Sequence, residues 1–431
     1  MVLKNVSKIL AARGVFIIVS LMTLGSCSGL WYVGFLSNIK PYEVKHPKFH
    51  AAQWQKQDHP AASQIYEQAE KFEGLKSFLI TKDGFLIAEW YASGFDKETS
   101  GNIKSASKSI ISALVGLALQ EGYFKSLDQP LADFLPEFFP PNDHIKKTIT
   151  LKHLLTMSAG FEHMENVNNY VYSSSNWTKS ILQLPMMHTP GDRFNYGTIQ
   201  THLLSAALTK ASGLDTLTFA QKHLFDNLHI SIKRWDKAPE GTFFGGSEMY
   251  LTPRDLALFG QLYLNNGRFG GKQLVPAKWI ESSLKVSFQD AWAGAAYGYG
   301  WWLKECFGYD TYYAQGYGGQ MIMNIPDLNM VFVTTADYPP LFYDHAKREQ
   351  KVEELIGFAL QVTSSLPMGK GSDQAKPWGH NPCFPGNDLE IDIMYHERSR
   401  TGLLSVSKLL KGKPELCYVQ LLHTFLKYMK R

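Results

Sequence analysis

Hydrophobic and polar positions follow two different periods along this chain, and the switches between them mark its elements. Apolar residues recur at helical spacing over Ala61–Phe72, where Ile65, Ala69 and Phe72 share a face, so an opening helix is predicted there. Two β-rich runs follow, Lys76–Thr81 and Phe85–Tyr91, separated by the hairpin signal Lys82-Asp83-Gly84. The stretch Gly101–Gly122 then turns from a polar approach into an apolar helix through Ile110, Ile111, Leu114, Val115 and Ala118, with Gly122 as its stop.

From Leu127 to about Pro239 helical patterns and loops dominate. Asp128-Gln129-Pro130 begins a short helix ending near Pro136, and Thr150 is placed to cap another that runs into Leu154 and Leu155. Thr252-Pro253-Arg254-Asp255 opens a helix through Tyr263, which Asn265-Asn266-Gly267 stops. Strands are predicted over Tyr297–Leu303, Thr311–Ala314, Gln320–Ile325 and Met330–Thr335, with Pro326-Asp327-Leu328-Asn329 as a turn, before a last helix over His345–Val362. Early strands, a helical middle and late strands imply an α+β fold. One antiparallel sheet is assembled from both ends, flanked by helices, with a mostly helical region inserted at about 125–240.

Composition alters this picture mainly at the termini. A chain of 431 residues with 45% hydrophobic and 19% charged residues has ample material for a core. Its net charge of +4, with no long Lys/Arg run, gives no reason to expect a nucleic-acid partner. Lys4, Lys8 and Arg13 precede the apolar segment Gly14–Leu24, and apolar character resumes to Leu36, so residues 1–36 read as a signal or membrane anchor. Residues 14–36 are long enough for one spanning helix, while Leu24-Gly25-Ser26-Cys27 resembles a lipobox that would make Cys27 a lipidated first residue. Either reading places the folded part outside the cytoplasm, on the periplasmic or envelope side and tethered to a membrane.

Residues 37–59 read as a polar linker, 60–365 as the folded domain, and 366–431 as an extension to which no chemistry is assigned. The four cysteines, Cys27, Cys306, Cys383 and Cys417, are scattered, which predicts neither a zinc site nor a disulfide framework.

Candidate chemistry centres on Ser105 and Lys108, three residues apart at the start of the apolar helix. Positions i and i+3 share a helix face, so the amine can reach the hydroxyl. A serine hydroxyl needs a base to become a nucleophile, and burial can lower a lysine pKa enough to supply one. Ser-x-x-Lys is a common string, so its companions decide its meaning. One is Pro190–Thr198, a loop of turn formers that projects Tyr196, whose phenol can shuttle a proton. The other is Ala314-Gln315-Gly316-Tyr317-Gly318-Gly319-Gln320, where glycines let a substrate approach and a backbone N–H can pair with that of Ser105 around a developing oxyanion. His153, in an apolar helix, reads as structural, and the aromatic residues of Asn169-Tyr170-Val171-Tyr172 and Trp301-Trp302 read as core or pocket wall.

From about Leu75 to Asp337 these residues, with Leu127–Pro130, Ile149–Gly160 and Leu251–Leu256, resemble the β-lactamase-related serine hydrolases. That family includes class C β-lactamases, penicillin-binding-protein-like carboxypeptidases, esterases and 6-aminohexanoate-dimer hydrolases. The resemblance implies a β-lactamase/transpeptidase-like fold and an acyl-enzyme on Ser105, with Lys108 and Tyr196 sharing acid and base work. It also implies an oxyanion site at the N–H groups of Ser105 and Tyr317, and substrate-side positions at Gln315, Gly316 and Thr198. It implies a small or peptide-like acyl substrate and neither a metal nor an organic cofactor; the oligomeric state is left open.

Two departures bear on the substrate: Thr198 stands where the family's tyrosine motif usually ends in asparagine, and Ala314 where a lysine or histidine usually opens the third motif. Without that cation a substrate carboxylate loses a partner, so an esterase or amidase is expected ahead of a D-amino-acid peptidase or β-lactamase. A non-catalytic envelope binding protein with the same fold is the alternative of another class.

Overall fold

A chain whose strands come from its two ends must bring those ends together before any sheet can close. The computed structural model describes residues 38–45, 48, 51–162, 170–292, 294–337 and 345–364. The expected anchor with Cys27 and the extension beyond 365 lie outside the described residues. No helix among the described residues is long and apolar enough to cross a membrane.

Helix α1 (Ala62–Glu70) leads into β1 (Leu75–Lys82) and β2 (Phe85–Tyr91). Asp83 and Gly84, both left-handed at φ 51° and 82°, make the two-residue turn between them. A short β3 (Gly101–Asn102) and a 3-10 turn (Lys104–Ala106) then precede α2 (Ser107–Gln120). The middle of the chain supplies α3 (Leu151–Leu155), α4 (Trp177–Leu182), α5 (Thr198–Ser212), α6 (Thr216–Ala220) and α7 (Asp226–Leu228). After β4 (Arg234–Trp235) and β5 (Met249–Leu251) come α8 (Pro253–Leu264), the small hairpin β6 (Arg268–Phe269) and β7 (Lys272–Gln273), and α9 (Ala277–Ser283). Strands β8 (Phe288–Trp292), β9 (Ala295–Tyr297), β10 (Trp302–Cys306), β11 (Tyr309–Gly316), β12 (Gln320–Ile325) and β13 (Met330–Ala336) precede α10 (His345–Ser364).

The main sheet has eight antiparallel strands in the order β2-β1-β13-β12-β11-β10-β9-β8, so the first hairpin docks onto the last strand. Period two then sorts the side chains into two cores. Leu79, Ile322, Val331 and Val333 join α2 and α8 on one face. Phe78, Ile80, Met321, Met323, Met330 and Phe332 meet Ile65 and Ala69 of α1 and Leu355, Ile356 and Leu360 of α10 on the other. Because both faces are covered, the central strands are apolar almost throughout, β12 and β13 being buried at every position. Each fully buried Leu, Ile or Phe contributes roughly 1.5–3 kcal/mol.

Capping signals fall where local chemistry requires them. Thr252 accepts from Asp255 N while the Asp255 carboxylate accepts from Thr252 N, a reciprocal box that starts α8. Thr150 and His153 do the same for α3, with His153 Nδ1 accepting from Thr150 N at 3.2 Å, so that imidazole is structural.

The structure corrects several expectations. Tyr297–Leu303 is a turn between two strands, since Tyr297 ends β9, Trp302 begins β10 and Gly298 N donates to Trp301 O at 2.9 Å. Alternating glycine and aromatic residues there imitate a strand period. The stretch after Asp128 forms 3-10 turns at Leu131–Asp133 and Pro136–Phe138 in place of one helix. Described residues of the expected linker at 37–59 pack on the domain: Lys40 N and Val44 N donate to Lys237 O and Lys233 O, and Gln57 N donates to Leu86 O. Ala52 is buried with its N–H on Asp255. Backbone pairing and small apolar side chains hold this segment down despite its polar composition. Cys306 is disulfide-bonded, where the scattered cysteines predicted no disulfide framework.

Candidate active site

Three chain segments meet beside the start of α2. The 3-10 turn Lys104–Ala106 carries Ser105, and Lys108 follows in the first turn of the helix. Residues three apart at a helix start share a face, which sets the lysine beside the serine. Lys108 Nζ lies 2.8 Å from Ser105 Oγ. It also lies 2.8 Å from the Gly246 carbonyl oxygen and 3.1 Å from Thr198 Oγ1.

Lys108 is 2% exposed, and burial drives its pKa well below the ordinary lysine value. A neutral amine has two N–H donors and one lone pair. Gly246 O can only accept, and Thr198 Oγ1 is free to accept, so the lone pair is left for the Ser105 hydroxyl.

Tyr196 arrives on the loop before α5, and its ring centroid is 5.1 Å from Lys108 Nζ. The loop is braced on both sides: Asn195 N donates to Met157 O at 2.7 Å, Asn195 Nδ2 to Phe161 O at 2.6 Å, and Gln200 Nε2 to Asn195 O at 2.7 Å. The Tyr196 ring packs against Trp302 and Tyr297, with centroids 5.5 and 6.2 Å away. Tyr297 is buried, and burial first and the Tyr196 phenol second push its own phenol up.

The end of β11 forms the third wall. A Cβ on Gly316 would lie 2.1 Å from the Ile103 carbonyl oxygen, so only glycine lets the strand touch the approach to Ser105. Tyr317 follows immediately and is 41% exposed, while Gln315 pairs with Met321 inside the sheet. Ala314 is buried and apolar, placing no cation at this strand end.

Of the residues singled out in the sequence, Ser105, Thr198 and Tyr196 converge around the Lys108 amine, and Gly316 brings the Tyr317 segment against the Ser105 turn. Gly246 was missed. A Cβ there would lie 2.5 Å from Thr198 Cγ2 and 2.6 Å from Thr201 Oγ1, so its carbonyl reaches Lys108 only because the residue is glycine. The Gly245-Gly246 doublet ahead of a strand was the available signal.

Comparison with known proteins bears on the family and the fold. A family model described as Beta-lactamase matches residues 62–354. The chain is 22% identical over 291 residues to a 6-aminohexanoate-dimer hydrolase of Paenarthrobacter ureafaciens, covering 61% of this chain and 72% of that one. A candidate 6-aminohexanoate-dimer hydrolase from Bacillus anthracis superposes with a TM-score of 0.61 at 18% identity, over 75% of this chain and 91% of that one. A hydrolase with promiscuous acyltransferase activity superposes at 0.58 and 16%, over 69% and 97%. The fold is the β-lactamase/transpeptidase-like one, an α+β arrangement. The chain belongs to the β-lactamase family of hydrolases.

Proposed function

We propose that this protein is a serine hydrolase that cleaves an ester or amide bond through an acyl-enzyme on Ser105. The observation that carries the reading is the 2.8 Å contact between Ser105 Oγ and a buried lysine amine whose other two contacts accept hydrogen bonds. Ser105 gives its proton to Lys108 as Oγ bonds to the substrate carbonyl carbon, and the carbonyl electron pair moves onto oxygen. The N–H groups of Ser105 and Tyr317 hold that oxyanion, helped by the positive end of α2. Collapse breaks the bond to the leaving alcohol or amine, which takes its proton from Lys108 through Tyr196. Water then attacks the ester by the same proton path, releasing the acid and restoring Ser105.

The buried Ala314 favours substrates without a carboxylate to be gripped at that strand end, and hence simple esters and linear amides over D-amino-acid peptides and β-lactams. Similarity to a 6-aminohexanoate-dimer hydrolase supports the linear amide. With a short-chain p-nitrophenyl ester, Ser105→Ala is expected to abolish turnover while circular dichroism stays unchanged. Undiminished turnover in that variant removes Ser105 from the mechanism.

A further inference from the structure

The nucleophile turn is registered by a small second sheet in the order β3-β5-β4, outside the eight-stranded one. Gly101 pairs with Leu251 and Asn102 with Tyr250, and Ile103 N donates to Met249 O at 2.9 Å. At the next step the two chains part, one toward Ser105 and the other back toward Gly246. Lys104 and Glu248 stand at this parting, and both are non-glycine residues in the left-handed region, at φ 52° and 56°. Such conformations are strained and persist only where the surroundings enforce them.

The enforcing contacts run between the two residues. Lys104 Nζ meets Glu248 Oε1 at 3.0 Å, with the two side chains only 14% and 4% exposed. Asn102 Nδ2 donates to Glu248 Oε2 at 2.6 Å, Asn102 Oδ1 accepts from Lys104 N at 2.9 Å, and Ser247 Oγ donates to Glu248 Oε1 at 3.0 Å. Burial first, and the nearby Glu248 charge second, push up the phenols of Tyr172 and Tyr250, the latter to about 12. The carboxylate is therefore held by Lys104, Asn102 and Ser247.

We infer that the Lys104–Glu248 ion pair is a positioning device for the proton transfer, a side-chain rung that continues the β3–β5 ladder and clamps the Ser105 turn to the Gly246 turn. Ser105 and the carbonyl of Gly246 are the two groups whose separation fixes where the Lys108 amine sits. One flanks Lys104 directly, and the other is two residues from Glu248. The pair acts by holding both turns in their strained conformations. Without it the left-handed residues relax, the two turns separate, and water reaches the amine.

This inference rests on the proposed hydrolase reading, so wild-type ester turnover and its loss in Ser105→Ala are measured first. Glu248→Gln keeps the size of the side chain, Lys104→Met keeps the stem, and the double exchange Lys104→Glu with Glu248→Lys restores opposite charges. Each single variant is expected to lose kcat on the order of 10- to 100-fold with KM unchanged, as for a misplaced catalytic group. The acid limb of the pH–rate profile is expected to move up toward the ordinary lysine range, and the exchanged pair to recover most of kcat. A purely structural role would lower the melting temperature and leave kcat and the acid limb of the folded fraction in place, and that result overturns the inference. If one single variant does not fold, the other carries the same comparison. Absence of turnover in the wild type overturns the hydrolase reading and this inference together, whereas wild-type turnover with unaffected variants overturns this inference alone.

Discussion

At the residue scale the proposed mechanism turns on the surroundings of Lys108. An exposed lysine is protonated at neutral pH and can only donate. Here the side chain is enclosed, no carboxylate lies among its three hydrogen-bond partners, and burial alone lowers the pKa. The folded chain holds this proton less tightly than the unfolded one, so folding releases a proton from this group between the two pKa values. Stability therefore rises with pH up to the unfolded lysine value, and catalysis rises with pH through the lowered folded value.

Lys108→Ala is expected to reduce kcat/KM by roughly 10²- to 10⁴-fold, the usual worth of a positioned base. Lys108→Arg is expected to fare no better, because a guanidinium keeps its proton. Steady-state ester kinetics on folded variants check both, and near-wild-type kcat/KM in Lys108→Arg would remove the base assignment. Ser105, Lys108 and Tyr196 were legible because their spacing and order are carried by the chain itself. Gly246 was not, because its contribution is a carbonyl and nothing in a side-chain pattern announces one.

At the element scale the caps and strands differ in how much they disclose. The start of α8 could be placed to the residue, since Thr252, Pro253 and Asp255 form a local box. The two- and three-residue strands of the second sheet could not, because a pattern needs more positions than they have. A third kind of contact joins elements distant in sequence. Arg254, in the first turn of α8, forks onto Glu89 of β2 with Nε–Oε1 2.5 Å and Nη2–Oε2 2.8 Å. Lys56 and Tyr91 add to the same carboxylate at 2.5 and 2.7 Å.

Burial would raise the Glu89 carboxyl, but the hydrogen bonds from Arg254, Lys56 and Tyr91 outweigh it and hold the group at about 2. Its contribution to stability is therefore present above the unfolded value of 4.5 and is lost as pH falls toward 2. Glu89→Gln leaves the Arg254 guanidinium buried without its charge partner and is expected to cost about 3–5 kcal/mol in urea unfolding at neutral pH. The variant should also lack the part of the acid destabilisation that titrates in that window. A loss within a few tenths of a kcal/mol would show the fork to be dispensable.

At the scale of the whole molecule, the architecture follows from where the chain puts its strands. β1 and β2 come before the helical middle and the other six sheet strands after it, so the closing pair β1–β13 joins residues some 250 positions apart. The same closure draws together the start of α2, the turn before α5, the Gly246 turn and the end of β11. This order of segments was readable, which is why the fold class could be stated from the sequence. The docking of Lys40, Glu43 and Lys56 was not, since it depends on β-bridges to Lys237, Arg234 and Leu86 that polar composition conceals.

The proposed mechanism stands on a buried, uncharged Lys108 that activates Ser105 at neutral pH. The most direct test is the pH dependence of fluorophosphonate labelling, with peptide mapping of the modified residue. A single modified site at Ser105 is expected, labelled at a rate that has already reached its plateau by neutral pH. Labelling elsewhere, or a rate that climbs only as pH approaches the ordinary lysine value, would contradict it.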